Sequence, residues 1–431
     1  MRKNNFKKYL LVSLACVFFV STMAQELHIG DGGAFYLGTN SDFATSNTLV
    51  THHANGVFAV EAGSNWNMAT EYVNGKMTVL GDGTTIANIG DAAQSTMTIT
   101  TIAGDSAICD YTNSAPPAGA VTALGNYVIS DTEYWTVTNT GPSIDLSMSD
   151  LTEESGATYG GVVSEGQETV IVRLDGADWK LYTESTGTGQ FALAVDTRVK
   201  INPIVFLQGA YVNPASGEET WMRDDLRNAG IIPTTSPYMD GLVCDASVFT
   251  PTGSDAIVDW VWVELRDKND NTSVLGMQSA LLQRDGDVVD IDGTSPLRFS
   301  SLSADNYFVV ITHRNHLGVI TANTVALSTI DTILNFSNNN TMQNGGDNAV
   351  VEVTAGIYGI YAGDYDGNGQ IQSQDVTAVV ALVGLSPIYN SGDVDSNTQI
   401  QAVDVSIMTS NVGKGQQARQ LDLKLNAKIK N

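Results

Sequence analysis

From Gln25 to about residue 357 the chain is a succession of short apolar or alternating runs, each closed by glycine or by a polar pair. In the first stretch, Ala34-Phe35-Tyr36-Leu37, Gly56-Val57-Phe58-Ala59-Val60, Lys76-Met77-Thr78-Val79-Leu80 and Met97-Thr98-Ile99-Thr100 read as strands. Gly30-Asp31-Gly32-Gly33, Asn74-Gly75 and Gly81-Asp82-Gly83 stand between them as turns. Closely spaced strands of this kind predict a sandwich, with a β-solenoid ranked second because no strict period is read. The pattern continues through Tyr134-Trp135-Thr136-Val137-Thr138, Ile144-Asp145-Leu146-Ser147-Met148 and 169–174. There Asp175-Gly176 separates two runs, the grammar of a hairpin.

A third β region opens at Pro203. Strong strands are expected over 257–265, 279–283 and 307–313, with one more at 350–353 after Gly345-Gly346-Asp347-Asn348. The polar stretch 222–227 predicts one short helix or an extended loop.

Beyond Tyr361 the period changes. Val376, Val379, Val380 and Val383 fall at i, i+3, i+4 and i+7, and Val405, Met408 and Val412 at i, i+3 and i+7. Both patterns predict helix faces. Valine is a weak helix former, so the reading leans on the acidic loop before each run.

The first residues set the compartment. Arg2, Lys3, Lys7 and Lys8 precede the apolar run 9–20, and Thr22-Met23-Ala24 supplies small residues for cleavage. The segment reads as a secretory signal peptide, too short to span a bilayer, and no later stretch is apolar enough to cross one. Without it the chain carries 47 acidic against 17 basic residues (21 − 4), a formal charge of −30. Such a charge disfavours nucleic acid and anionic membrane and favours cations. Cys109 and Cys244 remain, too few for a disulfide framework.

The acidic loops are two twelve-residue segments in register. The first runs from Asp364 to Asp375 and the second from Asp393 to Asp404, each residue of the second 29 positions after its counterpart. Calcium takes six to eight oxygen ligands, supplied in such loops by side chains at positions 1, 3, 5 and 12 and by the carbonyl at position 7. Here these are Asp364, Asp366, Asn368, Gln370 and Asp375, then Asp393, Asp395, Asn397, Gln399 and Asp404. Two calcium ions are expected. Gly369 at position 6 suits the sharp turn. Thr398, its β-branched counterpart, predicts a weaker second site. Ile371 and Ile400 at position 8 are expected to pair the two loops through their backbones.

The duplicated loop, with Asp at position 12 and a helix after each copy, resembles the dockerin module of secreted bacterial proteins over roughly 363–413. The resemblance implies two calcium ions and docking onto a cohesin-like partner, with Ser373-Gln374 and Ala402-Val403 facing it. These pairs differ, which argues against a symmetric dual binding mode. Where cellulosomes are absent, packing or anchoring to a cell-surface component is the other implied role. A second resemblance covers about 203–357. Phe206-Leu207-Gln208-Gly209-Ala210-Tyr211, Asp224-Asp225-Leu226-Arg227, Pro237-Tyr238, the strand from Asp259 to Arg266 and His313-Arg314-Asn315-His316-Leu317 look like a haemagglutinin-like domain of secreted Bacteroidetes proteins. It implies adhesion.

Other constellations are weaker. His313 and His316, at i and i+3 on a strand end, are expected on opposite faces, which makes a hydrogen-bonded turn the better reading than a metal site beside Asp259 or Glu264. Asp259 and Glu264 are expected on opposite sides of their strand, a poor glycosidase pair, with Trp260 and Trp262 as packing or a sugar-stacking surface. Asp285-Gly286-Asp287 with Asp290 and Asp292 reads as an acidic turn. The end of the chain, 421–430, alternates apolar and polar residues, either as an edge strand or as a basic tail.

The expected fold is therefore mainly β: tandem β-sandwich-like domains followed by a small α-helical, dockerin-like calcium module. The divisions are 1–24 signal peptide, 25–104 and 105–200 β domains, 201–357 haemagglutinin-like sandwich, 358–415 calcium module and 416–431 tail. The expected role is a secreted or cell-surface, non-catalytic adhesin or assembly protein, with a partner protein or a glycan as ligand. The alternative is a glycan-active hydrolase that carries the module as its attachment tag.

Overall fold

In the computed structural model the described residues lie between 25 and 415. Segments 30–33, 38–41, 46–47, 53–56, 62–64, 69–71, 82, 91–93, 102–105, 140–146, 150–157, 160–161, 164–168, 183–187, 212–215, 301 and 387–388 are outside the description. The signal peptide, the basic tail, the turn at Gly30-Asp31-Gly32-Gly33 and the start of the run at Ile144 therefore lie outside the described residues. The protein is mainly β, with several sheets, and its backbone forms two compact units, Met1–Glu165 with Thr169–Val195 and Gly166–Glu168 with Asp196–Asn431. Among the described residues no helix is long and apolar enough to cross a membrane.

The first unit opens as parallel coils. Strands β1 (Gln25–Ile29), β2 (Ala34–Leu37) and β3 (Asp42–Thr45) pair in parallel with β4 (Thr48–His52), β5 (Val57–Glu61) and β6 (Asn65–Met68). All three registers step by 23 residues: Gln25 faces Thr48, Ala34 faces Val57, and Asp42 faces Asn65. Val50 faces Val73 of β7 (Val73–Asn74) at the same step, whereas Phe58 faces Met77 of β8 (Met77–Leu80) after only 19. That shortened turn is why the repeat escapes a strict period, and the solenoid ranked second describes this start of the chain. Phe35 stacks on Phe58, ring centroids 5.4 Å apart and ring planes nearly parallel, as a one-coil step between like residues allows.

Antiparallel strands then take over, and two large sheets close on one core. Val73, Ala87, Ile89, Met97 and Ile99 from one sheet meet Phe58, Val60, Met77, Cys109, Trp135 and Phe191 from the other. The expected division at 104/105 is crossed by this pairing. Ser106–Thr112 lies against β8, with Cys109 opposite Met77, so 25–104 and 105–195 share a single core. Cys109 and Cys244 are both free and buried.

The second unit is organised by the strand Ile257–Asp267, buried along its length up to Arg266. Its β-branched and aromatic residues suit a strand covered on both faces. Val261, Val263 and Leu265 enter one core, while Trp260 and Trp262 enter another beneath the loop carrying Leu226, Tyr238 and Val248. A register shift between Ile257 and Asp259 places Val258 with the first set. Each such buried side chain contributes about 1.5–3 kcal/mol by burial. The polar stretch at 222–227 supplies a single helical turn, Asp225–Asn228. On one side Ile257–Asp267 pairs with Val274–Gln283, and on the other with Asp305–His313. Asp305–His313 turns through Arg314 and Asn315 into His316–Ile320. This two-residue turn faces the acidic loops.

Candidate metal centre

Each acidic loop is held open by its own backbone. In the first, the amides of Tyr365 and Asp366 donate to Asp375 Oδ1 (3.1 and 3.2 Å), and Gly369 N–H donates to Asp364 Oδ2 (2.9 Å). Gln370 N–H donates to Asn368 Oδ1 (2.9 Å), and Gln372 N–H to Asp375 Oδ2 (2.8 Å). The second loop repeats each bond 29 residues on: Val394 and Asp395 to Asp404, Thr398 to Asp393, Gln399 to Asn397, and Gln401 to Asp404. Asp375 and Asp404 thereby also cap the helices Ser373–Val380 and Ala402–Asn411 with a reciprocal box.

The backbone explains the residues at positions 4 and 6. Gly367 and Gly369 have φ of 69° and 81°, and Ser396 and Thr398 adopt 57° and 77°. The second loop thus reaches the same left-handed turn without glycine, and Thr398 bears the steric cost.

These turns gather the carboxylates. Asp364, Asp366 and Asp375 each bring an oxygen within 4.8 Å of the others, and Asp393, Asp395 and Asp404 do the same. All of these except Asp366 are buried to 2 % exposure or less. Burial, reinforced by Asp375 and Asp366, pushes the Asp364 carboxyl up to about 7. Burial and the neighbouring acids push Asp393 to about 8 and Asp395 to about 6. Asp375 and Asp404 are raised as well, chiefly by burial. Asp364 Oδ1 is buried with no hydrogen-bond partner. Converging, desolvated carboxylates with an oxygen left over suit a hard divalent cation, and the all-oxygen donor set suits calcium or magnesium better than zinc. Asn368 and Asn397 sit within each loop, their Nδ2 groups donating to Asp366 and Asp395, and Gln370 and Gln399 follow at position 7. The two sites differ in setting. Arg223 Nη1 lies 3.6 Å from Asp395 Oδ2, so a guanidinium stands beside the second triad.

The expected backbone pairing of the two loops is not what forms. Ile371 exchanges hydrogen bonds with Gly413 and Lys414, and Ile400 with Gly384 and Leu385. Each loop thus pairs with the segment that leaves the other loop's helix. The isoleucine side chains are fully buried, Ile371 beside Leu317 and Tyr361, Ile400 beside Ala362 and Val394. The helix faces read from valine spacing are also narrower than expected. Val379 and Met408 are buried, but Val380, Val383 and Val412 are about half exposed, since the first helix stops at Val380 and Val412 is a C-cap. Ser373, Gln374 and Ala402 are exposed and Val403 is half-buried.

The turn at Arg314-Asn315 seats the second loop. Arg314 donates from Nε to Asp259 Oδ2 (2.8 Å) and from Nη1 to the Asn390 carbonyl, and its guanidinium lies over the Tyr389 ring. Asn315 Nδ2 donates to the Asp393 carbonyl (2.9 Å). A Cβ at Gly209 would collide with the Val394 carbonyl oxygen. The contacts of Arg314 and Asn315 with the second-loop region span 76 and 78 residues, so no local spacing in the sequence signals them.

His313 and His316 do not point apart. They face each other across the hairpin, Nδ1 to Nδ1 at 3.1 Å, because a two-residue turn makes i and i+3 cross-strand neighbours. His316 Nε2 accepts from Gly209 N–H, so its proton is on Nδ1, shared towards Asn315 Oδ1 and His313. His313 then donates from Nε2 to Asp259. Burial holds both imidazoles below the usual histidine range, and their nitrogens are all engaged. Burial also works against charge on Asp259, but Arg314, with His313 and Tyr389, outweighs it and keeps that carboxyl well below the ordinary range. Glu264 is bound to Trp262 Nε1 and Arg266, and both tryptophans are fully buried, which removes the sugar-stacking surface and the glycosidase pair.

No known protein family matches the chain, and no curated protein does. Among solved structures the chain is similar to two crystal structures of a type II cohesin–X-dockerin complex from Acetivibrio cellulolyticus. The C-terminal interface mutant is 17% identical, covers 51% of this chain and 97% of that chain, and has a TM-score of 0.26. The N-terminal interface mutant is 20% identical over 36% and 83%, with a TM-score of 0.24. Likeness at that level leaves fold and function to be argued from the chain itself.

Proposed function

We propose that residues 364–375 and 393–404 bind two calcium ions, and that the chain is a secreted or cell-surface, non-catalytic adhesin or assembly protein. The observation that carries the calcium reading is the buried, unpartnered Asp364 Oδ1 within a triad of carboxylates. Asp364, Asp366, Asn368, Asp375 and the Gln370 carbonyl would hold one ion, and Asp393, Asp395, Asn397, Asp404 and the Gln399 carbonyl the other. The ion would supply charge neutralisation. With it, each loop fastens the start of a helix to the segment before it. The second site is the weaker, for two reasons that compound: Thr398 occupies a left-handed turn, and the Arg223 guanidinium competes for Asp395.

The dockerin-like arrangement of the two loops supports a role in assembly, with Ser373, Gln374 and Ala402 exposed towards a cohesin-like protein or a cell-surface component. The signal-peptide pattern and the strong negative charge support export. Calorimetric titration of the full chain with calcium tests the central claim. Two binding events in the wild type, one in Asp364→Ala and in Asp393→Ala, and none in the double variant are expected. A flat wild-type isotherm would end the proposal.

A further inference from the structure

Both acidic loops begin against the same residue. Asn315 accepts at its main-chain carbonyl from Gly363 N–H (2.8 Å), one residue before Asp364 at position 1 of the first loop. Its side-chain Nδ2 donates to the carbonyl of Asp393, position 1 of the second loop (2.9 Å). The side chain is fully buried. Its amide cannot be turned over, since Oδ1 accepts from His316 Nδ1 (2.7 Å) and His316 is held in that tautomer by Gly209 N–H. A flipped amide would set two donors against each other.

Around Asn315 the β domain grips the loops at further points. Tyr361 accepts at its carbonyl from Leu317 N–H, and Gln208 Oε1 accepts from Ala362 N–H and Asn411 Nδ2. The turn is therefore a third component of the metal centre, alongside the loops. Groups that orient metal-bearing residues without touching the metal commonly change affinity by 10–100-fold when removed.

We infer that Asn315 is a positioning residue that couples the two cation sites, so that they bind calcium as a linked pair and require the β domain to do so. This rests on the calcium reading above. By linkage, occupation of one site raises the affinity of the other, and the effect is reciprocal. It follows that the loops do not act as a detached docking module: the face against the turn is already taken by this chain.

The test is calcium calorimetry on the full chain, with thermal unfolding in chelator and in calcium. In Asn315→Ala both affinities are expected to fall, each on the order of tenfold, and the calcium-induced rise in Tm to shrink. A merely structural role would lower Tm equally in both conditions and leave the isotherm alone. Asp364→Ala, which alters only the first loop, is expected to weaken the second site several-fold in the wild-type background and not in Asn315→Ala. An Asn315→Ala isotherm matching the wild type, or a change confined to one site, would overturn the coupling while the calcium reading stood. A wild type that binds no calcium would instead remove the reading beneath it. Should Asn315→Ala fail to fold, hydrogen exchange on the wild type decides. Calcium should slow the amides of Gly363 and Leu317, and in Asp393→Ala that protection should drop for Gly363 as well. Exchange at Gly363 indifferent to the second site would overturn the inference.

Discussion

Tyr389 Oη donates a 2.7 Å hydrogen bond to Asp259 Oδ1, fastening the segment between the two acidic loops to the central strand of the β domain 130 positions earlier. Asp259 also accepts from Trp260 N–H on the same oxygen and from His313 and Arg314 on the other. Removing only the hydroxyl, by Tyr389→Phe, leaves the ring under Arg314 and takes one donor from a buried carboxylate. The expected cost is about 1–3 kcal/mol, read as a lower urea midpoint with an unchanged m-value.

The pH dependence of stability should disappear with calcium. Without the ion, Asp364, Asp393 and Asp395 have folded-state values near 7, 8 and 6, above the ordinary carboxylate value of 3.8 that they would have unfolded. Between about pH 4 and 8 the folded chain then holds more protons than the unfolded one, so stability falls as pH rises through that window. Calcium holds the carboxylates ionised and removes the slope, and its affinity grows with pH as protons are displaced. Thermal unfolding at several pH values, in chelator and in calcium, checks both halves.

Thr398→Gly relieves a β-branched residue at φ 77°. Against a left-handed penalty of about 1–2 kcal/mol, the looser unfolded chain of glycine offsets about 1. A small net gain in stability is expected, with tighter calcium binding at the second site in calorimetry. The reverse change in the first loop, Gly369→Thr, should weaken that site.

Arg223 pairs with the partly exposed Asp225 and also stands beside the buried Asp395, where its guanidinium opposes the upward push of burial on that carboxyl. Arg223→Met should raise the affinity of the second site several-fold and act on the first only through the coupling between them, an effect that salt suppresses.

Much of the geometry of the acidic loops was legible in the sequence, because its defining bonds are short in sequence. Every bond that shapes an acidic loop spans ten residues or fewer, from Gly369 to Asp364 or from Tyr365 to Asp375, so twelve residues of correct type carry the geometry with them. The cross-pairing of Ile371 with Gly413 and of Ile400 with Gly384 was not legible. The same residue types would serve a direct pairing equally well, and only the packing of the two helices selects the exchange. The parallel coils were hidden for a related reason: a step of 23 that ends in one of 19 breaks the arithmetic of a repeat while the backbone ladder absorbs the four missing residues in a turn.

The sequence by itself determined the mainly β character, the two acidic loops and the helices that follow them, all of which rest on local spacing. Tertiary structure alone decided that His313 meets His316, that Asp259 answers to Arg314 and Tyr389 rather than to Glu264, and that Asn315 stands between the loops. Those relations join residues up to 130 positions apart through single buried hydrogen bonds, for which spacing holds no period and composition no signal.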